Sequence, residues 1–308
     1  MITRAEHPWR AMLAASLASI CFGASVVATR FVVVQTDPAS LAFLRYLIAS
    51  CCLLPVLLRP SRATHVPVAS GDLLGIAALG ALFFGLFPWT FSAALVDLPS
   101  TRVALILATM PLVTLAVSRL RGIERITWPV LTGQCLAMAG IALALDQSAR
   151  LTDPSAHVWR GVALTLATVL CGAIYNVFSR PYLKRYAPRQ VTAWSMLAGT
   201  AVLAPLAASH GLFTTFPSFT PGGWLALAFL GTFGGAIGFS LWIWALERST
   251  PSRVAVFIAL NPVTATFLGS LLLHEPISAR FLAGLACVLG GILLANWQRQ
   301  RSIQPAQT

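Results

Sequence analysis

Ser100-Thr101-Arg102-Val103-Ala104-Leu105-Ile106-Leu107-Ala108-Thr109-Met110-Pro111 has a twin further along the chain, Pro251-Ser252-Arg253-Val254-Ala255-Val256-Phe257-Ile258-Ala259-Leu260-Asn261-Pro262. At one offset of 151 residues, Ala94-Leu95 pairs with Ala245-Leu246, Arg102-Val103-Ala104 with Arg253-Val254-Ala255, and Pro111 with Pro262. Glu124 with Glu275, Gly133 with Gly284 and Gly140 with Gly291 follow at the same offset. The chain is therefore an internal duplication. Each copy sets an arginine at a helix entrance, then an apolar run, then a proline nine residues on. At about 1.5 Å per residue the proline lies roughly 13 Å deep, near the middle of a hydrocarbon layer about 30 Å thick.

Composition supports that membrane setting. Apolar residues make up 57% of the 308 and charged residues 10%, with a mean hydropathy of +0.79, outside the range of soluble domains. The net charge of +12 comes from residues in short loops between apolar runs, which points to lipid headgroups as their partners and excludes nucleic acid. Cys21, Cys51, Cys52, Cys135, Cys171 and Cys287 all fall inside apolar runs, without a CxxC or a histidine at ligand spacing, so they read as small core residues. No metal or cofactor is expected. The uncharged run from Ala11 to Thr29 is too long for a signal peptide's apolar region and reads as a first membrane helix that is retained.

Breaking the chain at charges, Pro and Gly gives ten spans, at about 10–33, 38–58, 72–95, 101–119, 127–146, 159–181, 188–208, 222–246, 252–272 and 279–298. Alternate loops then carry fifteen and five basic residues, with Arg45 left inside a span, which predicts that both termini are cytoplasmic. Five spans per copy is an odd number, so the second copy must enter the membrane with the opposite orientation. The predicted fold is all-α and membrane-integral, two inverted five-helix repeats around a central cavity, with residues 1–147 and 156–308 as the repeats and 148–155 as the connection.

The residues that recur also carry a resemblance. Phe22-Gly23, Leu44-Arg45-Tyr46, Ala94-Leu95 through Pro111 and Glu124-Arg125-Ile126-Thr127 in the first half resemble the EamA-type members of the drug/metabolite transporter superfamily. Cys171-Gly172, Ala245-Leu246 through Pro262 and His274-Glu275-Pro276-Ile277 carry the resemblance through the second half. It implies a transporter, not an enzyme, in the bacterial inner membrane, as monomer or homodimer. The cavity it implies is lined by the first, third, fourth, sixth, eighth and ninth spans. Within the family the chain is most similar to exporters of aromatic and other neutral amino acids. The alternative is a multidrug or nucleotide-sugar-like carrier, which would want more basic residues facing the cavity than Arg45. The second half departs from the first where Leu44-Arg45-Tyr46 would recur, because Ser195 stands in place of the arginine.

Chemistry is carried by few residues. A proline inside a helix leaves the carbonyl four residues earlier without its donor, so Pro88, Pro111 and Pro262 are candidate hinges. Arg45 is the only charge well inside a span, at a cost on the order of 3 kcal/mol, and must face the interior. It serves either a substrate carboxylate or freed backbone carbonyls, or it snorkels outward. The candidate substrate-cavity residues are Phe83, Phe87 and Trp89 in the third span, Thr109 and Met110 in the fourth and Tyr175 and Asn176 in the sixth. Phe239 and Trp242 in the eighth and Asn261 in the ninth complete the set. An apolar cavity with a few polar anchors suits a neutral or zwitterionic small molecule. All nine acids lie outside the spans or at their ends, which argues against organic-cation export and against a buried carboxylate proton relay. HExxH, GxSxG and a buried acid pair are all absent, and so is any basis for a catalytic site.

Overall fold

The computed structural model describes residues 8–58, 68–122, 156–248 and 260–301, with isolated positions between 128 and 143 and at 257. Among these residues the secondary structure is helical, without a strand. The helices are α1 (Pro8–Val33), α2 (Pro38–Leu58), α3 (Ser70–Gly80, Ala81–Leu86 and Phe87–Asp97), α4 (Ser100–Leu107 and Met110–Leu120), α5 (Ala156–Phe178), α6 (Pro188–Ser209), α7 (Pro221–Gly231, Thr232–Ile237 and Gly238–Arg248), α8 (Leu260–Leu273) and α9 (Ala279–Arg301). Six are long and apolar enough to cross a membrane, and Pro38–Leu54, Leu260–Leu273 and Ala279–Gly291 are shorter apolar stretches. The fifth span of the sequence and the start of the ninth lie outside the described residues, apart from isolated helical positions.

Helix starts follow from local chemistry. Proline opens α1, α2, α6 and α7, where its missing N–H would have had no partner in any case. Asp37 caps α2 by accepting from the Ala39 and Ser40 amides at 2.9 and 3.0 Å, and the Thr220 hydroxyl caps α7 by accepting from the Gly223 amide at 3.1 Å. α3 ends where Leu98 turns extended ahead of Pro99.

The middle segments of α3 and α7, Ala81–Leu86 and Thr232–Ile237, are π-helical. They fall at the 151-residue offset, as do the first and last residues of α3 and α7. The duplication thus reaches the backbone geometry.

Orientation is readable from the helix ends. The end of α3 meets the start of α5, with Arg160 Nε 2.9 Å from Asp97 Oδ2, and the loop after α8 meets the start of α4 through Glu275. Consequently α1 and α5 enter from opposite ends, and the two repeats are inverted. The end where α1 begins and α9 finishes is here the near end; the other is the far end.

The halves interleave. α1 packs on α7 and α8 of the other half, α5 packs on α3 and α4, and α2 packs on α6. Ser50 and Thr200, equivalent at an offset of 150, hydrogen-bond to each other at 3.3 Å, so the local two-fold axis passes between them. Small residues permit the close crossings. A β-carbon at Gly23 would lie 2.6 Å from the Asn261 carbonyl oxygen, and one at Gly172, its equivalent, 2.6 Å from Met110 Sδ. Gly140, in the fifth span, lies against α9, where a β-carbon would come within 2.6 Å of the Gly284 carbonyl oxygen.

The cysteines correct one expectation. Cys171 is buried, but Cys51, Cys52 and Cys135 are exposed on helix faces, because a thiol is apolar enough to face lipid as readily as core. Trp9, Trp128, Trp159, Trp194 and Trp224 are exposed near helix ends, as interfacial tryptophans are.

Candidate functional site

Rings from both halves converge where α3 crosses α5 and α7. Phe83 stacks on Tyr175 with ring centres 4.4 Å apart and lies 5.0 Å from Phe87 and 6.3 Å from Phe239. Phe84, 1% exposed, sits 5.5 Å from Phe239, 5.5 Å from Tyr46 and 6.0 Å from Tyr175. Phe22 of α1 closes the group at 5.1 Å from Phe239 and 6.3 Å from Trp242. Edge-to-face and stacked pairs of this kind are worth about 0.5–1.5 kcal/mol each beyond the area they bury. Five of the rings singled out in the sequence, Phe83, Phe87, Tyr175, Phe239 and Trp242, belong to this cluster. Trp89 packs half-buried against the neighbouring core with Phe84 and Leu203.

Phe84, Phe22 and Tyr46 were missed. A 3.6-residue period places Phe84 about 100° away from Phe83. The π turn holds an extra residue, so both rings turn inward. Pro88 follows that turn directly and stands in the first turn of Phe87–Asp97. The wide turn accommodates the amide hydrogen that Pro88 lacks.

At Pro111 the helix is interrupted. Pro111 was expected inside a bent helix. Instead α4 is broken at Ala108-Thr109, and Pro111 occupies the first turn of Met110–Leu120, where a proline costs least. Thr109 serves this break: it is 3% exposed and its hydroxyl donates to the Ile106 carbonyl at 2.6 Å. Pro262 lies in the described part of α8, and the residues just before Leu260 are outside the described ones.

Met110 and Asn261 are equivalent at the repeat offset and do the same job, packing on Gly172 and Gly23. Met110 reaches Gly172 beside the Phe87 ring, at the rim of the aromatic cluster. Asn261 Oδ1 is buried without a hydrogen-bond partner. Asn176 is exposed and its amide donates to Thr114 at 3.5 Å, which places it apart from the rings.

Arg45 is 8% exposed, a buried positive charge within the span of a helix. Its guanidinium lies over the Tyr46 ring at 5.4 Å and faces Gly234 in the π stretch of α7, while its Nε is buried without a partner.

Polar links gather at the far end. The Glu275 carboxylate accepts from the Ser100 amide and hydroxyl at 2.8 and 2.9 Å and from the Thr101 amide at 3.1 Å, capping α4 from the other half. Gln35 Oε1 accepts from the Thr220 amide and hydroxyl, both at 3.0 Å, and His210 lies 3.7 Å from Asp37. Arg30 donates to the Leu95 and Val96 carbonyls. A hollow of about 280 Å³ lies beside these links, against Arg30, Gln35 and Glu275. A more apolar groove of about 540 Å³ opens on the near half between α1, α2 and α7, reaching from Ala14, Cys52 and Trp244 to Thr232 and Ala236. Among the described residues no cluster of metal-ligating side chains occurs.

Comparison with known proteins agrees with this architecture. An uncharacterized transporter of Archaeoglobus fulgidus is 27% identical over 90% of this chain and 95% of its own. A probable terminal-alkyne amino-acid exporter of Streptantibioticus cattleyicolor is 27% identical over 84% of each chain. A solved crystal structure at 21% identity superimposes with a TM-score of 0.66 over 96% of this chain and 99% of that one, and shows the fold. The EamA-like transporter family matches residues 9–145 and 159–297, the two inverted copies read above, so the chain belongs to that family and is a multi-pass membrane transporter.

Proposed function

We propose that the chain exports small neutral or zwitterionic metabolites, aromatic and other neutral amino acids foremost, across the bacterial inner membrane by alternating access. The observation that carries this reading is the aromatic group of Phe83, Phe84, Tyr175 and Phe239, contributed by both halves at mid-depth, beside the buried positive charge of Arg45. Such a surface favours a flat apolar side chain, and among the described residues no acid lies beside the rings to favour a cation, the buried Asp97 carboxylate being paired with Arg160 at the end of α3. An amino-acid exporter among the relatives supports the same class. Basic loop residues favour the near end as the cytoplasmic side.

Transport then requires the rings to part. Substrate enters from the near half, the halves rock about α2 and α6, and the far-end links of Glu275, Gln35 and Asp97 release. Movement runs down the substrate gradient, or couples to protons through terminal acids such as Glu275 and Asp37. Proteoliposome counterflow with labelled phenylalanine, tyrosine, tryptophan and leucine tests this directly. Exchange accelerated by unlabelled amino acid without a pH gradient is the expected result. Movement of lipophilic cations in place of every amino acid would overturn it.

A further inference from the structure

Arg45 stands at the edge of the ring cluster, over Tyr46, and faces α7. It projects from α2 to the one stretch of α7 where the helix widens into a π turn, and the residue it meets there is Gly234. A β-carbon at Gly234 would lie 2.1 Å from Ser25 Oγ, too close for both to stay, and 3.5 Å from the guanidinium Nη2, in ordinary contact, so the glycine brings the α7 backbone against α1 and alongside Arg45. The equivalent places in the other half hold Ser195 where Arg45 stands and Phe83 where Gly234 stands. One copy therefore fills the space with a ring, and the other clears it for a guanidinium.

The arginine is not there as half of an ion pair. It is more than nine-tenths buried, its Nε has no hydrogen-bond partner, and its contact on α2 is the face of Tyr46, at 5.4 Å. A guanidinium presents a planar fork of N–H donors that matches a carboxylate in two parallel hydrogen bonds. Tyr46 leads on to Phe84 at 5.5 Å, and Phe84 to Phe239 at 5.5 Å. A molecule with a carboxylate at Arg45 would lay its apolar part along this aromatic path. π turns inside α-helices recur at functional sites, which fits the placement of this one.

We propose that Arg45, with the Gly234 face of α7, is the carboxylate-binding subsite of the transport path and the determinant of acid over amide. The proposal deepens the amino-acid reading above and rests on it for the remainder of the substrate.

The test uses the full chain, purified and reconstituted, with phenylalanine against phenylalaninamide, and pyruvate and benzoate as carboxylates without an amino group. Binding is read by ligand-induced thermal shift and transport by counterflow. Wild type should favour phenylalanine over its amide by about tenfold or more, since a site built for one polar group rejects the analogue lacking it. Arg45→Gln should abolish that preference chiefly by weakening phenylalanine, with an unshifted melting temperature of the ligand-free variant showing that it is folded. Arg45→Lys, with its charge but not its fork, should keep part of the preference.

A wild type that does not distinguish acid from amide, or an Arg45→Gln variant that still does, overturns the proposal, and the first of these needs no variant to fold. If benzoate or pyruvate binds through Arg45 while no amino acid is carried, the subsite stands and the amino-acid reading fails. If amino acids cross with an acid preference indifferent to Arg45, the reading stands and the subsite fails.

Discussion

The π stretches of α3 and α7 occupy equivalent places in the two repeats, and their side chains are opposites. Ala81-Leu82-Phe83-Phe84-Gly85-Leu86 projects two rings toward the centre, whereas Thr232-Phe233-Gly234-Gly235-Ala236-Ile237 presents two glycines. Their partners compensate. Phe84 fits because Gly199 of α6 faces it, and Gly235 is matched by Ala49 of α2, which sits where Gly199 does in the other half. Backbone geometry was kept while the side chains exchanged bulk across the crossing, so one inverted scaffold yields an asymmetric interior: aromatic on one side, cationic on the other. Symmetry supplies the motion, and asymmetry supplies the selectivity.

The largest effect on this contrast should come from removing bulk on the α3 side. Phe84→Ala should lower stability by about 3–5 kcal/mol, the usual cost of deleting a fully buried ring, seen as a lower melting temperature in detergent and a loss of counterflow. An unchanged melting temperature would mean that the rings are not the packed centre of the molecule. Next comes added bulk on the α7 side. A β-carbon at Gly235 would lie 2.6 Å from the Ala49 β-carbon, so Gly235→Ala should cost about 1–3 kcal/mol, and Ala49→Gly should restore much of it. Failure of that rescue would break the pairing on which the comparison rests. The smallest effect should attend Pro88→Ala. Phe239 stands at the place equivalent to Pro88, and α7 forms its π turn without a proline, so the turn in α3 should persist. Stability should change by less than about 1 kcal/mol, and amide exchange around residues 84–88 should stay fast if the π geometry is intrinsic to the fold.

Much of the architecture was legible before any coordinates. The repeat offset, drawn from Arg102 and Arg253 and from the paired prolines, anticipated the inverted halves and the helix ends, because hydropathy and charge act over whole spans. The central site was legible only in part. Phe83 and Phe87 could be aligned by helical spacing, but Phe84 could not, since a π turn shifts the phase by one residue and nothing in the local pattern of α3 announces it. The interruption of α4 before Pro111 was hidden for a related reason: a proline's position in the chain does not say whether the helix bends around it or stops and restarts before it. Arg45 was visible as a costly buried charge, whereas the clearing at Gly234 belongs to a helix distant in the chain. Glu275 was visible as a repeated acid, and its role as a cap for α4 depends on a contact between halves that no spacing encodes.

The interleaving of the halves bears on how the molecule is made. α1 is inserted first, but the surfaces it packs against, on α7 and α8, are synthesised much later, so the Gly23 face must wait until Asn261 arrives. Neither repeat expressed alone would own its complement, and two fragments co-expressed in one membrane should recover a fold that each lacks. For the same reason the first helix of each copy acts as a strap thrown across to its twin, and the two repeats come to order together, late in biosynthesis, as a single cooperative event.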